Sequence, residues 1–229
     1  MTDTAARRKH AALALAHRWF AFLETDWGNT PDHMTMFEPA VTLTGHHGGV
    51  TFAHSHESLQ RWFEAVPDAT SAHHMLHAVW SEAGAGSGGL SFVVAYQTPT
   101  LDGVAGAIIK YDTVITFRDG QARFVALDKT PVLPDTDPVY QPSWAAHRVG
   151  GLIHSALANP KDQPIFVAAL GPLTSTADVK VWAPSSAPAS SYTAYVTIRG
   201  QNASPRTVRI ALLDNADATH PTVSSIDAQ

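Results

Sequence analysis

The sequence contains no cysteine, so disulfides, thiolate nucleophiles and cysteine-based zinc sites are all excluded. Charge is sparse, with Asp, Glu, Lys and Arg together making 15% of the chain, and the longest basic run is Arg7-Arg8-Lys9. Short charge runs are ordinarily exposed faces, and this one reads as a solvated helix start. Binding phosphates needs a basic stripe, so no nucleic-acid partner is expected. Long apolar runs are missing as well. The stretch 11–16 is too short and too interrupted for a secretory signal or a membrane span. A soluble, cytoplasmic protein with no membrane association is expected.

What is plentiful is histidine, thirteen in 229 residues, against a background that is 45% apolar. That apolar content suffices for one large core or two small ones, and at roughly 100–200 residues per domain one or two domains are expected.

Apolar positions Ala12, Leu13, Ala16, Trp19, Phe20 and Leu23 recur at three- and four-residue steps, predicting a helix from a Thr4 cap to about Leu23. Thr30-Pro31-Asp32 signals a second, short helix ending near Phe37 and closed by Glu38-Pro39. Short strands over 40–44 and 50–54 flank the turn His46-His47-Gly48-Gly49. Ser55 caps a third helix with Leu59, Trp62, Phe63 and Val66 on one face, stopped by Pro67. The period then changes. Extended runs over 73–82 and 90–98 are joined by a Gly-rich loop, and 105–118 and 123–127 form a hairpin around Asp119-Gly120, a type I′ turn signal. Pro131, Pro134, Asp135, Asp137 and Pro138 read as a linker.

This order is similar to that of the nuclear transport factor 2-like (SnoaL-like) superfamily. Three pieces carry the resemblance: Met36-Phe37-Glu38-Pro39-Ala40-Val41-Thr42-Leu43, Ser71-Ala72-His73-His74, and Phe117-Arg118-Asp119-Gly120-Gln121-Ala122-Arg123-Phe124. It covers about residues 5–132. It implies an α+β fold, a cone in which a curved mixed or antiparallel sheet and three N-terminal helices enclose a hydrophobic pocket. Fold alone does not name a reaction, because the superfamily includes dehydratases, isomerases, polyketide cyclases, epoxide hydrolases and pure binding proteins.

Strand alternation places His73, Met75, His77 and Val79 on one face, and His74, Leu76, Ala78 and Trp80 on the other. Similarity to the scytalone dehydratases, anchored on Trp80, puts His73 at a catalytic histidine of that family; anchoring on the doubled histidine favours His74. The same comparison places Tyr96, Thr98 and Tyr111 on the pocket face. Imidazole titrates near neutral pH and a phenol can donate to a developing enolate, so these types suit acid–base work. The resemblance therefore implies His73, His77, Tyr96 and Tyr111 as catalytic groups, with Trp19, Trp62, His74, Met75 and Phe124 lining a ligand.

Departures from the family pattern are equally plain. The dehydratase carboxylate near the end of the first helix falls at Leu23, and its second histidine falls at Thr100. The acid that SnoaL-type cyclases carry on the last strand falls at Leu127, with Asp128 on the opposite face. Glu24, Asp26 and Asp112 are the nearby acids, and each is expected to be solvated. His46, His47, His54, His56, His73, His74 and His77 lack helical i,i+4 spacing or a companion carboxylate, so no metal and no cofactor is expected.

Beyond the linker, Ser143 caps a fourth helix with Val149, Leu152, Ile153, Ala156 and Leu157 on one face. Strand-like runs follow over 165–170, 179–182, 191–199, 206–213 and 223–226. Two domains are expected, 1–138 as the cone and 139–229 as a smaller helix-plus-strands region. The latter is either a degenerate second copy of the cone or a β-rich extension. The function these readings imply is binding of a small hydrophobic, cyclic metabolite, with cofactor-independent lyase, isomerase or cyclase chemistry if the site is catalytic. The alternative is a non-catalytic ligand-binding or scaffold protein. A homodimer is expected in either case.

Overall fold

The computed structural model describes residues 3–24, 30–65, 71–84, 86–136, 143–159, 161, 166, 176–183, 190–200, 204–213 and 222–228. Contacts divide the chain into two compact units, Phe22–Pro142 on the one hand and Met1–Ala21 with Ser143–Gln229 on the other. The boundary expected at residue 138 lies outside the described residues.

In the Phe22–Pro142 unit, helix α2 (Thr30–His33) and a 3₁₀ turn (Met34–Met36) lead into β1 (Phe37–Gly45). Glu38-Pro39 does not close the helix outside the sheet but lies within β1, where the β1–β6 pairing is irregular between Phe37 and Thr42. The turn His46 to Gly49 holds left-handed φ values of 54° at His46, 57° at His47 and 80° at Gly48, and β2 (Val50–Ala53) returns antiparallel to β1. Helix α3 (His56–Ala65) follows. The Ser55 hydroxyl accepts from the Ser58 amide at 3.2 Å while the Ser58 hydroxyl accepts from the Ser55 amide at 2.9 Å, a reciprocal cap. The expected stop at Val66-Pro67 lies outside the described residues.

Four long strands complete this unit: β3 (Ala72–Gly84), β4 (Ser87–Thr100), β5 (Gly103–Arg118) and β6 (Gln121–Thr136). The six strands form one mixed, curved sheet in the order β2-β1-β6-β5-β4-β3, with β1 and β6 parallel. Asp119 and Gly120 have φ values of 52° and 77°, as a type I′ hairpin requires. The stretch 131–136, expected as linker, is instead the end of β6. Pairing with β1 stops at Gly45 opposite Lys129, so beyond that point β6 is an edge strand. An edge position spares Pro131 and Pro134 the ladder hydrogen bond that proline cannot donate.

The inner face of this sheet is the core. Leu43, Leu90, Phe92, Val94, Tyr111, Ile115, Phe124 and Leu127 are all buried on it, and Leu59 and Phe63 of α3 are buried too. Burying each large apolar side chain stabilises by roughly 1.5–3 kcal/mol. Thr113 sits among them with its hydroxyl satisfied, donating to the Leu90 carbonyl at 2.9 Å. The outer face is more open, with Val79 and Val114 exposed.

In the other unit, α1 (Asp3–Leu23, through Ala21) accompanies α4 (Trp144–Ala158). A four-stranded antiparallel meander is formed by β7 (Asp178–Trp182), β8 (Ser191–Arg199), β9 (Arg206–Leu213) and β10 (Thr222–Ala228). Alternate residues Val196, Ile198, Val208, Ile210 and Leu212 form one core with Val149, Leu152, Ile153, Ala156 and Leu157, the helix face read from the sequence. Ser143 occupies the N-cap position of α4 without a side-chain capping bond. The run 165–170 lies outside the described residues except for Phe166, which is buried in this core. No helix among the described residues is long and apolar enough to cross a membrane.

Candidate functional site

A set of polar side chains of the Phe22–Pro142 unit lies on the inner face of its sheet, starting at the entrance of β3. His73 is buried there and pairs in register with Tyr96 of β4. Their rings lie 5.1 Å apart, tilted by 50°. Glu24, just past the end of α1, is only 2% exposed. Its Oε1 accepts the His73 backbone amide at 2.7 Å and lies 3.2 Å from His73 Nδ1. This corrects the expectation of a solvated Glu24: a carboxylate at that depth needs donors, and His73 supplies two. Leu23, the position matched to a catalytic carboxylate in the sequence comparison, is buried and apolar; the acid stands one residue later.

A carboxylate oxygen without a proton can only accept, so in this contact Nδ1 of His73 is the donor. The pair thus presets the tautomer that a general base needs.

Further along the inner face, Tyr111 is buried and stacks on Phe92, with ring centroids 5.0 Å apart and planes within 11°. Burial, with a smaller contribution from Tyr96 nearby, pushes its phenol well above the ordinary tyrosine range. Tyr111 therefore stays protonated and is suited to donate rather than to act as a base.

His77 does not join this face. The β3–β4 register shifts between Met75 and His77, which makes Leu76 a bulge and reverses the alternation beyond it. His73 opposes Tyr96 and Met75 opposes Val94, whereas His77 opposes Val93 on the outer face and is exposed. Ala78 and Trp80, expected on the outer side, take the inner phase instead, opposite Phe92 and Leu90.

The remaining sequence candidates are distributed as follows. His74, half-buried, is one position out of phase with His73 and opposes Ala95. Met75 is half-buried on the inner face, and Phe124 is buried with its ring 5.8 Å from that of Phe37. Trp62 is half-buried on α3, its ring 6.2 Å from Phe52. Trp19 is buried, but it belongs to the unit of Met1–Ala21 and Ser143–Gln229. Asp112 and Asp128 oppose one another on the outer face, Asp112 bonded to Ser91 and Lys110, Asp128 to Thr44, Thr130 and the Gly48 amide. No group of three or more His, Asp or Glu side chains among the described residues is placed to hold a metal ion.

One inner-face residue went unnoticed in the sequence. Lys129 opposes Tyr111 across the sheet, and its Nζ lies 4.8 Å from the Phe52 ring centroid and 5.0 Å from that of Trp62. Burial holds its ammonium below the ordinary lysine range. The signal was available: once Leu127 points inward, the residue two further along the strand does so as well.

No family model matches the sequence, and no curated protein matches it. Solved structures do resemble it. A candidate scytalone dehydratase from Novosphingobium aromaticivorans DSM 12444 superposes with a TM-score of 0.52 at 14% identity, covering 62% of this chain and 96% of that one. An NTF2-like protein with a cystatin-like fold from the same species gives a TM-score of 0.46 at 10% identity, over 54% of this chain and 81% of that one. A ketosteroid isomerase-like protein from Erwinia carotovora atroseptica SCRI1043 gives 0.42 at 10% identity, over 54% and 96%. At such identities the likeness is one of fold alone, and of these three superpositions only the first has a TM-score above 0.5.

Proposed function

We propose that the inner face of the Phe22–Pro142 unit is a small-molecule site performing cofactor-independent proton transfer on a hydrophobic cyclic compound, as a lyase, isomerase or cyclase would. The buried Glu24–His73 pair facing Tyr96 carries this reading. His73 acts as the base, Glu24 orients it, and Tyr96 and Tyr111 donate to the oxygen on which negative charge develops. Trp62, Met75 and Phe124 supply apolar wall, and His74 stands at the entrance of β3. His77 has no part in the chemistry.

The test is deuterium exchange at the α-carbon of a panel of cyclic ketones in heavy water, followed by NMR. Wild-type protein should exchange at least one member, and His73→Gln should slow that exchange by roughly 10²–10⁴-fold. Exchange across the panel at the rate of His73→Gln would overturn the reading.

A second reading, a non-catalytic homodimer, is favoured by Val79 and Val114, exposed at 48% and 49% on the outer face. Native mass spectrometry distinguishes the two, since it reports both oligomeric mass and any retained small molecule. The order of helix then four-stranded antiparallel meander in α4 and β7–β10 parallels that of α3 and β3–β6. This supports the idea that the C-terminal region is a shortened second copy of the cone.

A further inference from the structure

Lys129 has no task in the reaction just described, yet its surroundings are built around it. It lies on the inner face, opposite Tyr111 on one side and Gly45 on the other. A Cβ at Gly45 would come within 2.7 Å of the Phe52 ring, so glycine there is what lets Phe52 lie over the end of β1. Phe52 and Trp62 then flank the ammonium at 4.8 and 5.0 Å.

Two aromatic faces attract the charge but accept none of its three N–H bonds. Nor does a carboxylate among the described residues do so. Glu24 is engaged with His73, Glu38 pairs with Arg118 at 3.2 Å, and Asp112 and Asp128 are held on the outer face. The ammonium is half-buried and donates to no described side chain, so its N–H bonds are open to an incoming acceptor. A ligand that brings an anionic oxygen to this point supplies one.

We propose that Lys129 is the anion-binding group of this site, and that its ligand is an organic acid, a carboxylate carried on an apolar ring system. The carboxylate seats on Lys129 and the ring body extends along the inner face past Tyr111, with the reacting carbon toward His73. This rests on the small-molecule reading of the inner face given above, and it adds the class of substrate. The ammonium contributes charge-assisted hydrogen bonds and an aromatic frame that favours a flat ligand.

The test compares 2-naphthoate with its neutral counterpart 2-naphthylmethanol by titration calorimetry near neutral pH, on wild type, Lys129→Met and Lys129→Arg. Wild type should bind naphthoate about tenfold to a hundredfold more tightly. Lys129→Met should bind the two probes alike, and Lys129→Arg should keep a preference for the acid. Equal affinities in wild type, or a preference that survives in Lys129→Met, would overturn the inference, and the wild-type comparison decides even if a variant fails to fold. Failure of ketone exchange alongside a Lys129-dependent preference would overturn the catalytic reading and leave this one standing. Exchange without any preference would do the reverse, and a wild type that binds neither probe would overturn the inference.

Discussion

His10 on α1 and His154 on α4 face one another with their Nδ1 atoms 2.7 Å apart, and seven residues along each helix His17 and His147 repeat the contact at 2.8 Å. His17 also stacks on His154, with centroids 5.5 Å apart. Each Nδ1···Nδ1 contact needs one ring to donate and the other to accept. Four histidines therefore run along the helix pair in a ladder in which each of the two Nδ1···Nδ1 contacts needs one ring with an unprotonated Nδ1.

Acid should open this unit. Burial lowers His17 from 6.5 to about 4 and holds His154 well below 6.5, the latter helped by His10, His17, Lys9 and Lys180. Because the folded values lie below the unfolded one, the stability they contribute is present above pH 6.5 and lost as the pH falls from 6.5 through about 4. The melting temperature should fall across that window, and His154→Leu should flatten the fall. An unchanged pH profile in His154→Leu would refute the assignment to the ladder.

Adjacent glycines on α4 should respond oppositely to alanine. A Cβ at Gly150 would sit 2.8–2.9 Å from the His17 ring, which His147 and His154 hold in place, whereas at Gly151 the nearest atoms are 3.7–3.8 Å away. Gly151→Ala should gain roughly 0.5–1 kcal/mol from helix propensity. Gly150→Ala should lose roughly 1 kcal/mol, overpacking outweighing the same gain. Urea denaturation of the two variants settles the signs, and a stabilised Gly150→Ala would show that the helices separate freely.

Glu24→Ala should cost roughly 2–4 kcal/mol, because two buried donors of His73 lose their acceptor. Glu24→Gln keeps one acceptor oxygen and should recover part of that stability, while ketone exchange stays impaired because a side-chain amide stabilises the charged imidazolium less well. Chemical denaturation alongside the exchange assay separates the two effects. A Glu24→Ala variant as stable as wild type would mean that His73 finds another partner.

Tyr111 should remain un-ionised well above the ordinary tyrosine range. Burial, then Tyr96, raises its phenol, so an alkaline absorbance titration should show a phenol step that appears only with unfolding. Tyr111→Phe should remove that late step and leave the earlier ones as they were. Loss of an early step instead would place Tyr111 in contact with solvent.

Methionine should fit the place of Lys129 between Phe52 and Trp62. Since burial penalises the ammonium, Lys129→Met should raise the unfolding free energy read from urea denaturation by roughly 1 kcal/mol. A large destabilisation would show that the charge is satisfied in the ligand-free protein.

Much of the fold was legible from periodicity. The helix face of Val149, Leu152, Ile153, Ala156 and Leu157, the Asp119-Gly120 turn and the Ser55 cap follow from spacing and turn chemistry that act within a few residues. The fate of 131–136 was not readable in this way, because prolines that look like a linker are acceptable in a strand once its neighbour ends at Gly45.

Composition and order alone put a histidine and two tyrosines in the segments that become β3, β4 and β5, and no thiol anywhere. Tyr96 and Tyr111, which the family resemblance placed together, share the inner face. Tertiary structure decided the rest. A single bulge at Leu76 moved His77 to the outer face, and bulges depend on how two strands meet, not on either one alone. Glu24 found His73 across 49 positions of sequence, and Lys129 acquired its aromatic frame from β2 and α3. Burial and the partner a charged group meets there are properties of the packed chain, and they separate a working carboxylate or ammonium from a solvated one.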